Sequence, residues 1–256
     1  MMKKKALFNK VNKLELKKLL EEESFDRITA SFYRYIKIDE PNTFRDHLYD
    51  EWHKLKVFGR VYIAKEGINA QISVPDHNWE AFIMQLNRIK ELTDMHIKKA
   101  LQDGPSFYKL IIKVREELVA YGVPKESYDM DHVGKHLSTN EYNKALEDPD
   151  AIVVDMRNYY ESEIGRFENA LIPDVETSKE LLPEVKRLLK GKEKNNVLLY
   201  CTGGIRCEKA SSYLIKNGFQ NVNQLQGGII QYAHDVKEKD MISRFKGKNF
   251  VFDDRL

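Results

Sequence analysis

The sequence predicts two successive domains, an α+β domain of split β-α-β-β-α-β order and an α/β domain built on a parallel sheet. Three observations predict this. The chain has 256 residues, long for one compact core and enough for two. The first half alternates aromatic or β-branched runs with amphipathic stretches, and two of those runs adjoin across a tight turn. The second half alternates continuous apolar runs with helical patterns, as strands buried between helices do.

Residues 1–24 read as a basic arm. "NKVNKLELKKLLEEE" spaces Val11, Leu14, Leu16, Leu19 and Leu20 near a helical period, but Lys leads and Glu trails. That order opposes the helix dipole, so the segment is expected to be a mobile or docking arm. Lys3, Lys4, Lys5, Lys10, Lys13, Lys17 and Lys18 make it the best local candidate for phosphate contact, although such a run is usually a solvated tail.

Residues 25–121 carry the first domain. "ITASFYRYIKI" is strand-like; Phe32, Tyr33 and Tyr35, interspersed with Arg34 and Lys37, either fill the core, the preferred reading, or stack bases. "PNTFRDHLYDEWHKLK" opens with Pro and sets Phe44, Leu48, Trp52 and Leu55 on one helical face. "GRVYIAKEGINAQISV" reads as two strands around a Glu66–Gly67 turn. "DHNWEAFIMQLNRIKEL" is a second helix with Asp76 as N-cap, and "SFYKLIIKVREELV" is the final strand. The order is that of a ferredoxin-like domain. Residues 122–137, with Gly122, Pro124 and Gly134 and little periodicity, read as a linker.

Residues 138–245 carry the second domain, and 246–256 are a C-terminal segment. Ser138 and Glu141 form a capping-box start. "AIVVDMRN" suits a central parallel strand ending at Asp155 and Arg157. "SKELLPEVKRLLKG" is helical. "NNVLLYC" is a buried strand that delivers Cys201, and "EKASSYLIKNGF" is a helix beginning near Glu208 and stopping at Gly218. "NVNQLQGGIIQYAHDV" adds a strand, a Gly227–Gly228 turn and a helix.

Composition narrows the functional classes. Lys and Arg number 42 against 40 Asp and Glu, so no global field draws the chain to nucleic acid and any such binding needs a local patch. No apolar run is long enough to span a membrane, and the N-terminus lacks signal-peptide character. Two cysteines exclude a disulfide framework and fit a reducing cytoplasm. The seven histidines are scattered and form no metal set.

Both cysteines lie in "YCTGGIRCEKAS". Ligands of parallel sheets bind beyond the carboxyl ends of strands, where Cys201 falls. Gly203 and Gly204 can take positive φ and turn their N–H groups inward as an anion nest. The following helix and Arg206 add positive charge, so Cys201 is expected to have a lowered pKa. Thr202 reads as a rim residue, and Arg206 either orients the loop or binds an RNA phosphate. Cys207 reads as a structural thiol, with a redox role the minor alternative. Asp155 and Arg157 are either a surface ion pair or organisers of the Cys201 loop. Lys65, Glu66 and Asn69 are a polar turn or an RNA contact at the cleft between domains.

The strand-Cys-loop-Arg-helix arrangement resembles the active-site loop of rhodanese domains, with "VVDMRNYYESEIGRFENALIPD" resembling their upstream segment and "QLQGGIIQY" their closing strand and helix. Four residues separate Cys201 from Arg206, the sulfurtransferase length; the related phosphatases carry five. "GRVYIAKEGINAQIS", "CTGGIRCEKAS", "YGVP" and "FVFDDRL" together resemble the rhodanese-domain tRNA uridine hydroxylases over nearly the whole chain after the arm. Lys65 stands where that family usually has Pro, and many relatives continue past the position of Leu256 into a Cys-rich tail.

The resemblance implies oxygen-dependent 5-hydroxylation of the wobble uridine in tRNA. Dioxygen is then a co-substrate and the anticodon region the partner. Cys201 is the catalytic residue, in a loop of Thr202, Gly203, Gly204, Ile205 and Arg206 supported by Asp155 and Arg157. No organic cofactor or metal is readable. The alternatives are a sulfurtransferase carrying a Cys201 persulfide and a non-enzymatic RNA-binding module.

Overall fold

The computed structural model describes residues 12–101, 104–251 and 253. The chain divides into two compact units between Leu118 and Val119, the second ending at Val251.

The first unit begins with α1 (Lys13–Glu21), where the sequence predicts an arm that is mobile or docking. Asn12 caps it, its side chain accepting from the Leu14 N–H at 3.0 Å. Leu16 is buried, and the ammonium groups of Lys13 and Lys17 lie 5.6 and 5.8 Å from the Tyr108 ring centre. With the helix bounded at Lys13 and Glu21, Glu15 falls in its first turn and Lys18 in its last, so the charge order is not the obstacle expected, and the contacts add to it. Lys3, Lys4, Lys5 and Lys10 lie outside the described residues.

Then come β1 (Arg27–Tyr35), α2 (Pro41–Lys54), β2 (Phe58–Ala64), β3 (Gly67–Pro75), α3 (Trp79–Arg88), β4 (Lys98–Lys99) and β5 (Leu110–Val114). The sheet order is β4-β1-β3-β2-β5. The first four of these strands and the two helices make the ferredoxin-like arrangement, with β1 and β2 both antiparallel to β3. Its fourth strand is not the predicted one. The dipeptide Lys98–Lys99 takes that place against Ala30 and Ser31, while the predicted final strand, β5, extends the opposite edge, parallel to β2. Lys98 is nevertheless buried, its ammonium 4.8 Å from the Tyr33 ring centre.

Trp52 from α2, Phe82 from α3 and Phe32 from β1 form the aromatic centre of this core. Phe32 is therefore a packing residue rather than a base-stacking one, and Tyr33 and Tyr35 are half-buried. Asp76 does not cap α3. It opens a short 3-10 turn, Asp76–Asn78, accepts the His77 N–H at 2.7 Å, and leaves Asn78 as the N-cap.

The second unit contains β6 (Lys135–Leu137), α4 (Thr139–Ala145), β7 (Ile152–Asp155), α5 (Tyr159–Ile164), β8 (Gly165–Phe167), α6 (Ser178–Leu188), β9 (Asn196–Tyr200), α7 (Ile205–Lys216), β10 (Asn221–Leu225), α8 (Gly228–Glu238) and β11 (Phe245–Gly247). β6, β10, β9 and β7 form a parallel sheet in that order, and β11 pairs antiparallel with β8. The predicted capping box at Ser138 and Glu141 starts α4.

From Val197 onward β9 is apolar because both of its faces are covered. Val197 and Leu199 enter a core with Leu182, Val185 and Leu214; Leu198 and Tyr200 enter another with Tyr142, Phe167 and Tyr232. Full burial of each such side chain is worth about 1.5–3 kcal/mol. β7 is the outermost strand of this sheet rather than a central one. Its free edge is nonetheless bonded: Leu171 donates to the Val153 carbonyl at 2.7 Å and accepts from the Asp155 N–H at 3.0 Å. Tyr121 and Tyr128 also bury in the second unit.

Candidate active site

Cys201 follows the last residue of β9, and α7 begins four residues later at Ile205, earlier than the predicted start near Glu208. Arg206 and Cys207 therefore sit in the first helical turn, where free N–H groups and the positive dipole end are closest. Gly204 is the helix N-cap with φ +102°, a conformation that disfavours any side chain. Gly203 does not share it: only Gly204 of the predicted pair has positive φ. The twist at Gly204 turns its N–H onto the Cys201 Sγ at 3.1 Å.

Cys201 is fully buried. Burial alone pushes its thiol pKa up, but the Cys207 thiol, the Arg206 charge and the N–H groups of Cys207 and Gly204 outweigh it and lower the value to about 6. A thiolate is then the main form at neutral pH. Cys207 is also fully buried, and burial together with the neighbouring Cys201 holds its pKa well above the ordinary thiol value. The two cysteines are thus unlike: one is the acceptor and the other the proton-bearing donor.

The loop is held by α8, by Tyr121 and by α5. From α8, the Ile229 and Ile230 N–H groups donate to the carbonyls of Cys201 and Thr202 at 3.0 and 3.1 Å. Tyr121 donates its hydroxyl to the Arg206 carbonyl at 3.1 Å. From α5, the Glu161 carboxylate takes both arms of the Arg206 guanidinium, Nη1 at 2.6 Å and Nη2 at 2.9 Å. The Thr202 hydroxyl donates to the same carboxylate at 3.0 Å and accepts from Arg206 Nη2 at 3.1 Å. Ile205 packs against the core beneath.

Glu161 is the residue that sequence reasoning misses. Its local signal is the spacing from Asn158, whose backbone N–H it accepts at 3.0 Å as one arm of a capping box. Nothing local points to Arg206, forty-five positions on.

Asp155 and Arg157 do not form a surface pair: both side chains are fully buried. Asp155 accepts from Arg157 Nε at 2.9 Å and Nη2 at 2.7 Å, from Ser162 at 2.8 Å and from the Tyr200 hydroxyl at 2.6 Å. Since Tyr200 is the residue before Cys201, this network fixes the strand end from which the loop departs. In the first unit, Lys65 and Glu66 form the two-residue turn between β2 and β3, and half-buried Asn69 lies in β3. Lys65 is exposed, while Glu66 Oε1 accepts the Leu118 N–H at 2.7 Å. Among the described residues, no group of three or more His, Cys, Asp or Glu side chains could hold a metal ion, and no helix is long and apolar enough to cross a membrane.

A parallel sheet whose strand ends in a cysteine, followed by a glycine loop running into a helix, defines a rhodanese-like domain, and the model of that domain family matches residues 138–235. A second family model, described as a UPF0176 acylphosphatase like domain, matches residues 27–118. Among curated proteins, the tRNA uridine(34) hydroxylase of Leptospira interrogans is 52% identical over 99% of this chain and 70% of its own length. Those of Hamiltonella defensa and Photorhabdus laumondii are each 48% identical over 98% of this chain, and over 71% and 72% of their own lengths. The chain belongs to the tRNA uridine(34) hydroxylase family.

Proposed function

We propose that the protein hydroxylates uridine 34 of tRNA to 5-hydroxyuridine, with dioxygen as co-substrate and Cys201 as the catalytic group. Kinship with hydroxylases along nearly the whole chain supports the reaction. The observation that carries the role of Cys201 is its low-pKa thiolate at a strand end, held by the Gly204 N–H.

The chemistry follows from the thiolate. Its addition to C6 of the uracil ring moves the C5–C6 electron pair to C5 as an enolate. The electron-rich C5 takes one atom of dioxygen. The other leaves as water, using two electrons and two protons from an external two-electron reductant such as a pair of thiols. Loss of the C5 proton and departure of Cys201 restore the double bond. The sum is uridine, dioxygen and two thiols giving 5-hydroxyuridine, water and a disulfide.

The RNA is proposed to meet the protein through its anticodon region. α5 leaves Tyr159 and Tyr160 nearly half exposed, at 48% and 45%, on the helix whose Glu161 holds the Cys201 loop. Exposed aromatic rings at that place suit stacking with unpaired anticodon bases.

The test is incubation of purified protein with tRNA lacking the modification, in air and under anaerobic conditions, with nucleoside mass spectrometry. The expected product is uridine carrying one added oxygen, formed only in air and absent with Cys201→Ala. Full product from Cys201→Ala would overturn the assignment of Cys201. Persulfide on Cys201 with no nucleoside change would move the reaction to sulfur transfer.

A further inference from the structure

The Cys201 loop contains the ingredients of an anion site: a left-handed glycine, a helix N-terminus and an arginine. The arginine is already occupied. Arg206 gives one hydrogen from each arm to Glu161 and Nη2 also reaches Thr202, and its side chain is only 14% exposed. Glu161 is fully buried and takes hydrogen bonds from Arg206, Thr202 and the Asn158 N–H. Planar two-point pairing of this kind is the mode by which a guanidinium recognises a carboxylate or phosphate ligand. Here the ligand is supplied by the protein itself.

We propose that Glu161 sets the specificity of this site: it occupies the anion-binding face of Arg206, so Cys201 is closed to anionic reactants and open to a neutral one, the uracil ring of an RNA. The uracil assignment rests on the hydroxylase reading above. The charge preference does not. Paired with Arg206, the buried Glu161 carboxylate cancels the attraction that an unpaired guanidinium would exert on an approaching anion, and little water screens either charge there. The Arg206 charge still helps to hold the thiolate, but the Nη1/Nη2 pair that would grip thiosulfate, sulfite or phosphate at two points is already taken by Glu161. Glu161 is a positioning residue in this scheme. It acts on the reactant through Arg206 and Thr202 and does not touch the reacting atoms.

The test compares two alkylating reagents of similar size and different charge, neutral iodoacetamide and anionic iodoacetate, on Cys201 of the full chain near neutral pH, each rate divided by that with a small free thiol and the modified site read by peptide mass spectrometry. In the wild-type protein iodoacetamide is expected to lead iodoacetate by more than it does with the free thiol. Glu161→Gln keeps an acceptor for Arg206 but removes the charge, and should raise the iodoacetate-to-iodoacetamide ratio by on the order of tenfold. The double variant Glu161→Gln/Arg206→Met should lose that gain, whereas general loosening of the loop would speed both reagents in both variants.

A ratio unchanged in a folded Glu161→Gln protein would overturn the proposal. So would iodoacetamide failing to reach Cys201 in the wild-type protein. Because the readout needs no RNA, it separates the two readings. A responsive ratio with no hydroxylated tRNA leaves the charge gate standing and removes uracil as its reactant. Hydroxylated tRNA with an unresponsive ratio removes the gate alone.

Discussion

Gly228 lies against the backbone of the Cys201 loop so closely that a Cβ at Gly228 would stand 2.5 Å from the Cys201 carbonyl oxygen. The same atom would stand 2.7 Å from the Thr202 oxygen and 2.8 Å from the Gly204 nitrogen, and Gly228 has φ +67°. The obstructing atoms are backbone, so they cannot rotate away. Gly228→Ala therefore has to move either α8 or the loop. Displacement of a reacting group by about 1 Å costs on the order of 100-fold in rate. Hydroxylation by Gly228→Ala should fall by about that factor, with a lowered melting temperature. A variant with wild-type turnover would show that the loop tolerates a shift of α8.

Cys207 is one of several groups that favour the Cys201 thiolate. Burial pushes the Cys201 pKa up, and the hydrogen bond from the Cys207 thiol is the leading contribution that brings it down to about 6. The active thiolate is present above that value and is lost as pH falls through it. A pH–rate profile should rise through about pH 6 and then level. Cys207→Ala removes the donor and should move this limb to higher pH; Cys207→Ser, which keeps a donor, should restore much of it. The check is the pH dependence of single-turnover hydroxylation, or of thiolate absorbance with Cys201→Ala as the blank.

The parts of this architecture visible in the sequence are those whose cause is local. The capping box of Ser138 and Glu141 and the buried run of β9 before Cys201 each arise within a few residues. The parts that escape it depend on partners far along the chain. Lys98 and Lys99 have no strand character of their own, yet β1 offers them an open edge at Ala30 and Ser31. Glu161 is readable as a helix-capping residue and unreadable as the partner of Arg206. Asp155 and Arg157 look like a polar strand end, and only the packing of Tyr200 and Phe245 around the guanidinium shows that the pair is interior.

That buried pair makes a stability prediction. Asp155 is the acceptor for Arg157, Ser162 and Tyr200 at once, and Arg157 Nη1 has no hydrogen-bond partner among the described residues. Asp155→Leu would leave an uncompensated interior cation, at a cost of about 3–5 kcal/mol. Asp155→Leu/Arg157→Met, which removes both charges, should be less destabilised than the two single changes added together. Urea unfolding of the four proteins forms the cycle. Strict additivity would mean that the pair contributes no coupling.

The turn between β2 and β3 separates two roles that the sequence places side by side. Glu66 accepts the Leu118 N–H at 2.7 Å, and the Lys65 and Glu66 carbonyls accept from Ile38 and Ile36, each at 3.0 Å. The backbone of the turn and the Glu66 side chain are thus committed to the fold, while the Lys65 side chain is exposed. If Lys65 meets an RNA phosphate, Lys65→Ala should weaken tRNA binding at all sequences alike and reduce the slope of log affinity against log salt by about one, with no change in melting. Glu66→Gln should do the reverse: a loss of about 1 kcal/mol of stability from the weakened bond to Leu118, with the salt slope intact. Binding titrations at several salt concentrations, run beside thermal melts of both variants, distinguish the assignments. An unchanged salt slope in Lys65→Ala would leave the turn with a structural role only.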